Sequence, residues 1–330
     1  MQSRRFIAVF AALIFVGGAS LPLVAQDKDK KPKFTKEEQK DQETLVKLVN
    51  AVSSGQPAPA ALGVTWVQDH FLKLTVDSTY SPFTLNVSGT TSPLSMYVRA
   101  MPKGAVASDK DKKPVYPSEA LSFFAAPADG RVSRAVNVPA GDYDLYVAVK
   151  EHATGKKNEV NKTTVFKKTI TVPDLTGSTL TTSSIILAAN VEGTQPLPPD
   201  QAHLFPYTLG GMKITPAGPE AKFSTAGELS LLFWIYGVTP VNTKPDVQVE
   251  YNFHQRLPEG EKFFNKTAPQ ALNATTMPAT FDLSTGALLM TSQSLPLKTF
   301  PPGEYRLEIK ITDKPSGKSV TQNVNFTVTA

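Results

Sequence analysis

The sequence predicts an all-β fold: two tandem β-sandwiches preceded by a secretory leader and one short amphipathic helix. Three observations lead there. Beyond residue 60, apolar residues recur at every second position in short runs, and 27 prolines and 20 glycines punctuate the chain; this is the pattern of half-buried strands joined by turns. The stretch "PAGDYDLYVAVKEHATGK" at 139–156 returns as "PPGEYRLEIKITDKPSGK" at 301–318. The 330 residues contain no cysteine, so no disulfide can staple a small domain, and the 41% apolar content must supply two real cores.

The first element is a leader over 1–25. Arg4 and Arg5 precede the apolar run "FIAVFAALIFVGGA", and the segment closes in "LPLVAQ". That layout predicts a secretory signal peptide cut after Ala25, with the mature chain starting near Gln26. Leu23 is bulkier than the small residue usual three before the cut, so retention as an uncleaved anchor stays open. No later run has the ~18 apolar residues of a membrane helix, and the mature chain is expected in the periplasm, outside the cell or at its surface. Loss of two of the 34 basic residues against 29 acidic ones lowers the net charge from +5 to +3, too little and too dispersed to point to nucleic acid.

Residues 26–60 hold a charged leader, a helix and a proline-rich connector. "QDKDKKPK" at 26–33, nearly copied as "DKDKKP" at 109–114, reads as solvated loop, because interleaved lysines repel the cation that a D-x-D pair would bind. A helix is expected over about 36–53. Thr35 and Glu38 stand at capping-box spacing, Leu45, Leu48, Val49 and Val52 form one stripe, and Gly55 follows its end. "QPAPA" then breaks it.

From 61 to 173 the period is two, with about seven strands in "TWVQDHFLKL", "PFTLNVS", "LSMYVRAM", "ALSFFAAP", "RVSRAVNVP", "DYDLYVAVK" and "TTVFKKTITVP". "PDLTGSTLTTSS" makes 174–184 an expected linker into the next first strand. A second sandwich is expected over 185–330, with strands from "SIILAA" to "VTQNVNFTVT" and the "TFDLS" segment among them.

The two copies of the repeat match at a constant offset of 162, each one strand before the end of its set. Proline and glycine make the turn, Tyr143 or Tyr305 opens the strand, and Leu145, Val147, Val149 or Leu307, Ile309, Ile311 continue one face. This resembles the penultimate strand of bacterial immunoglobulin-like domains of the PKD or fibronectin-III kind. The resemblance implies spacer or binding modules without shared catalytic residues, and a corner role for both tyrosines, each hydroxyl hydrogen-bonded to nearby backbone.

The sequence offers no candidate catalytic, cofactor-binding or metal-ligating residue. His70, His152, His203 and His254 lack metal-ligand spacing and read as surface histidines. The N-x-S/T matches at Asn86, Asn161, Asn265, Asn273 and Asn325 matter only in a glycosylating host. In "ELSLLFWIYGV", Leu229, Leu231, Phe233 and Ile235 form a core face, while Leu232, Trp234 and Tyr236 make the opposite face aromatic. Those three need a cover within the chain, or else form an interaction surface. Tyr146 and Ala148 are likewise apolar on an outward face, as expected if the 45–52 stripe lies over them.

The expected function is therefore a non-catalytic exported scaffold or protein-binding module of the bacterial envelope, its partner an envelope protein or a glycan. The alternatives are a carbohydrate-binding module using an aromatic sheet face and a hydrolase with a loop-built carboxylate site.

Overall fold

The computed structural model describes residues 34–75, 77–106, 115–156, 159–198 and 201–330. The leader, the 26–33 stretch and its near copy at 109–114 lie outside the described residues.

Helix α1 spans Lys36–Ser53. The Thr35 hydroxyl accepts from Glu38 N (3.2 Å) and the Glu38 carboxylate accepts from Thr35 N (2.7 Å), so the expected capping box is present. Leu45 and Val49 are fully buried, with Leu48 and Val52 beside them. The buried face extends one turn further, to Asp41, which is also fully buried.

Seven strands follow: β1 (Gly63–Asp69), β2 (Thr79–Ser88), β3 (Leu94–Pro102), β4 (Ser118–Phe124), β5 (Arg131–Val138), β6 (Gly141–Glu151) and β7 (Thr163–Val172). They form antiparallel sheets in the orders β1-β2-β5 and β4-β3-β6-β7, a division into three and four strands typical of small sandwiches. Alternation decides which residues meet between the sheets: Leu85, Val132 and Val136 from one, Met96, Val98, Leu145, Val147 and Val149 from the other. The opposite face of the four-stranded sheet carries Ser95, Tyr97, Arg99 and Met101 on β3 and Asp144, Tyr146, Ala148 and Lys150 on β6. Helix α1 packs here, with Leu45 and Val49 against Tyr97, Met101, Tyr146 and Ala148.

The second compact unit comprises Leu175–Leu197 and Tyr207–Ala330; residues Pro198–Pro206 group with the first unit, where Ala202 O accepts from Tyr80 Oη (2.8 Å) and His203 O from Ala135 N (3.2 Å). Its strands are β8 (Thr181–Thr182), β9 (Ile186–Gly193), β10 (Thr208–Leu209), β11 (Met212–Pro216), β12 (Lys222–Ser224), β13 (Glu228–Tyr236), β14 (Val247–Leu257), β15 (Gly260–Lys266), β16 (Gln270–Leu272), β17 (Leu289–Pro296), β18 (Gly303–Asp313) and β19 (Lys318–Thr329). One sheet runs β10-β11-β9-β13-β17 with β8 on β13; the other runs β12-β19-β18-β14-β15 with β16 on β14. Val249, Tyr251, Phe253, Leu307, Ile309 and Ile311 meet Leu229, Leu231 and Phe233 in the core.

Two stretches differ from expectation. The 174–184 segment contains buried Leu175 and Leu180 and strand β8, so it belongs to the second unit's fold. "TFDLS" is not a strand. The Asp282 carboxylate accepts from Ser284 N (2.8 Å), capping a short 3-10 helix over Leu283–Thr285 that ends at Gly286 with φ +80°; a side chain that captures nearby backbone donors competes with a ladder.

Candidate functional site

Two polar clusters fasten α1 to the first unit's sheet. In the first, Asp41 Oδ1 accepts from Lys150 Nζ (2.5 Å), while Oδ2 accepts from Ser95 Oγ (2.6 Å), His152 Nδ1 (2.8 Å) and Ala153 N (3.1 Å). Lys150 and Ser95 are opposed on β6 and β3, and alternation aims both at the helix. Burial alone would raise the Asp41 carboxyl, but hydrogen bonds from Lys150, Ser95 and Ala153 and the Lys150 charge hold it below the ordinary range. An ionised carboxylate only accepts, so Nδ1 of His152 carries the proton facing it.

Aspartate, histidine and serine here do not form a catalytic relay. A relay joins acid and nucleophile through the two different ring nitrogens. Here one nitrogen, Nδ1, faces both Asp41 Oδ2 and Ser95 Oγ (3.0 Å), and Ser95 is fully buried. The cluster's chemistry is that of a buried, hydrogen-bonded ion pair.

The second cluster surrounds Arg99, 2% exposed. Its Nε donates to Tyr97 Oη (2.8 Å), its Nη1 to Asn50 Oδ1 on α1 (2.6 Å), and its guanidinium lies 3.7 Å from the Tyr116 ring centroid. Tyr97 Oη donates in turn to Glu119. Burial, then the hydrogen bond to Glu119, pushes the Tyr97 phenol upward. Further along, Asp144 accepts from Lys167 Nζ (2.9 Å), Thr169 Oγ1 (2.7 Å) and Gly104 N (3.1 Å); against the effect of burial, these donors hold its carboxyl low.

The corresponding face of the second unit is open and charged. Arg306 on β18 grips Glu261 with Nε (2.9 Å) and Nη2 (2.6 Å), and also reaches Glu308 (3.2 Å) and Asn323. The hydrogen bonds from Arg306, and then its charge, lower the Glu261 carboxyl against a small opposing desolvation. Phe263, 55% exposed on edge strand β15, meets His254 edge-on at 5.8 Å.

Leu232, Trp234 and Tyr236 are only 3%, 4% and 5% exposed, so these side chains lie inside the folded chain. Trp234 is fixed through its backbone, N donating to Ser183 Oγ (2.9 Å) and O accepting from Ser183 N (2.9 Å). The repeat tyrosines share strand position and ring burial but differ at the hydroxyl. Tyr305 Oη donates to Pro301 O (2.8 Å), whereas Tyr143 Oη makes no hydrogen bond among the described residues and sits over Gly141. Gly141 and Gly303 have φ of +148° and +155°, which explains why both copies keep glycine there.

The surface reading fails for His70, and the side chains of His152 and His254 are only 27% and 20% exposed. His70 is buried, and burial pulls its pKa down to about 4. His152, the first residue after β6, meets Asp41 with its Nδ1, and Ala153 N donates to the same carboxylate oxygen. No group of three or more histidines and acids suited to a metal occurs among the described residues, and no described helix is long and apolar enough to cross a membrane.

No family model matches the chain, and no curated protein matches it. Among solved structures it is similar to trypsin-activated alpha-2-macroglobulin from Escherichia coli, with TM-score 0.24 and 11% identity over 83% of this chain and 17% of that one. Salmonella alpha-2-macroglobulin reacted with methylamine gives 0.24 and 12%, over 82% and 17%. The native conformation of E. coli alpha-2-macroglobulin gives 0.21 and 12%, over 83% and 16%. The chain thus spans at most 17% of the length of these proteins, and at such TM-scores the likeness carries no argument about activity.

Proposed function

We propose that this chain is an exported, non-catalytic scaffold or protein-binding module of a bacterial cell envelope, built from two units of the PKD or fibronectin-III kind. The observation that carries the reading is the contrast between its two repeats. In the first, the outward positions hold Asp144, Tyr146 and Ala148, and the chain's own helix lies against Tyr146 and Ala148. In the second, the matching positions are Arg306, Glu308 and Lys310, which stay partly or fully exposed on the sheet that also carries exposed Phe263, two strands from Arg306 across His254. An accessible aromatic and an arginine on one sheet suit a protein partner, since such residues anchor interfaces. The leader favours export, and the buried Asp41–Lys150 ion pair is engaged in holding α1.

Affinity capture from the envelope fraction of the native host, comparing wild type with the Phe263→Ser/Arg306→Glu variant, tests the reading. One protein retained by wild type and lost by the variant is expected. Binding to a glycan array with no protein retained would replace it with the carbohydrate-binding alternative.

A further inference from the structure

A cavity of about 450 Å³ opens between α1 and the β6–β7 hairpin, inside the roughly 300–1,000 Å³ range of small-molecule sites. Three lysines line it from separate elements: Lys40 on α1, Lys150 on β6 and Lys156 in the hairpin. Lys150 is the built part of the wall. Its side chain is 9% exposed, and its ammonium donates to Asp41 Oδ1 (2.5 Å) and Glu151 O (2.9 Å). An ammonium has three hydrogens, so one has no protein acceptor among the described residues.

Lys40 and Lys156 make no ion pair among the described residues. The one carboxylate on the wall, Glu159, already accepts from Thr154 N at both oxygens (2.9 Å each) and from Asn161 Nδ2 (2.9 Å). Asp41, behind Lys150, accepts four hydrogen bonds. The cavity therefore presents ammonium groups from three elements against one carboxylate, whose oxygens are already engaged by Thr154 and Asn161. Lysines outnumber carboxylates three to one on its walls, so its potential favours an anion.

We infer that this cavity binds a phosphate monoester, its oxyanion held between Lys40 and Lys156 over the Lys150 ammonium. Lysines converging as separate point charges suit a tetrahedral dianion, while a planar carboxylate is better matched by the fork of an arginine. The volume exceeds what a lone oxyanion fills, so the esterified group has room beside the phosphate. A ligand so placed ties α1 to the hairpin.

Calorimetric titration with glycerol 3-phosphate and with inorganic phosphate, at ionic strength fixed with sodium chloride, tests this. Glycerol 3-phosphate should bind more tightly than inorganic phosphate, and more tightly at pH 7 than at pH 5.5, because the second phosphate proton leaves near pH ~6. Lys40→Ala and Lys156→Ala alter exposed side chains and should keep the wild-type circular dichroism. Each should weaken binding about tenfold or more, while Lys310→Ala in the other unit should leave it unchanged. Bound glycerol 3-phosphate should also slow amide exchange over Lys36–Ser53. No saturable binding at millimolar concentration, or binding indifferent to both lysine variants, would overturn the site. Binding of inorganic phosphate alone would overturn the ester assignment.

Discussion

Removing Asp41 puts the attachment of α1 to a quantitative test. Asp41→Ala deletes the acceptor of four hydrogen bonds and leaves the buried Lys150 ammonium facing a void. Breaking one side of a buried ion pair costs about 3–5 kcal/mol, a large share of the ~5–15 kcal/mol by which a domain is stable. With a urea slope of about 2 kcal/mol/M, the first unit's midpoint should fall by on the order of 2 M. The double variant Asp41→Leu/Lys150→Met removes both charges and leaves mainly the Ala153 N–H and the Ser95 and His152 side chains unpaired, at a cost of about 1–3 kcal/mol. It should therefore be more stable than Asp41→Ala alone. Urea unfolding followed by circular dichroism, with amide exchange over Lys36–Ser53, reads both effects. A shift under ~0.5 kcal/mol for Asp41→Ala, or a double variant as unstable as its two singles summed, would show that the Asp41–Lys150 pair does not hold α1.

Further expectations concern separate features. Tyr305→Phe should destabilise the second unit by about 0.5–1.5 kcal/mol through loss of its bond to Pro301 O, while Tyr143→Phe should be near neutral in the first; equal effects in denaturant unfolding would contradict the geometry. Trp234→Ala should lower stability by about 3–5 kcal/mol, and in a Trp66→Phe background the wild-type indole should emit in the blue; a stable Trp234→Ala protein with water-like emission in its parent would count against burial. On acidification, His70 is held neutral with a pKa near 4, below its ordinary 6.5, so its contribution is full above pH ~6.5 and lost as pH falls towards 4. Asp41 and Asp144 have depressed pKa values, so their contribution is present above the ordinary carboxylate pKa near ~3.9 and disappears at still lower pH. Asp41→Asn should flatten the stability profile only in that lowest range, which unfolding midpoints from pH 7 to 2 would reveal.

Much of the architecture was legible because periodicity is local. The capping box and the stripe from Leu45 to Val52 need one window, and the strand faces need only alternation. The offset repeat located the penultimate strands and even their glycines. Asp41 was not legible: an acid one turn before Leu45 resembles any solvated helix residue, and its Lys150 partner lies 109 positions away. His152 looked like a turn residue because its surroundings come from α1 and β3. For Trp234 the alternation showed that a second face needed cover, whereas its degree of burial depends on tertiary packing. The "TFDLS" stretch misled because Asp282 and Ser284 can satisfy backbone donors locally, a choice that alternation does not encode. The lysine-lined cavity assembles from three elements, so no motif announces it.

The most direct test of the proposed role is photo-cross-linking in the native host, with a photoreactive residue replacing Phe263 and, in a parallel strain, buried Phe253 as control. One discrete adduct with an envelope protein is expected from position 263 and none from position 253, in a chain whose N-terminal sequence begins near Gln26. Absence of any protein adduct at position 263, or recovery of the chain from the cytosol beginning at Met1, would contradict that role.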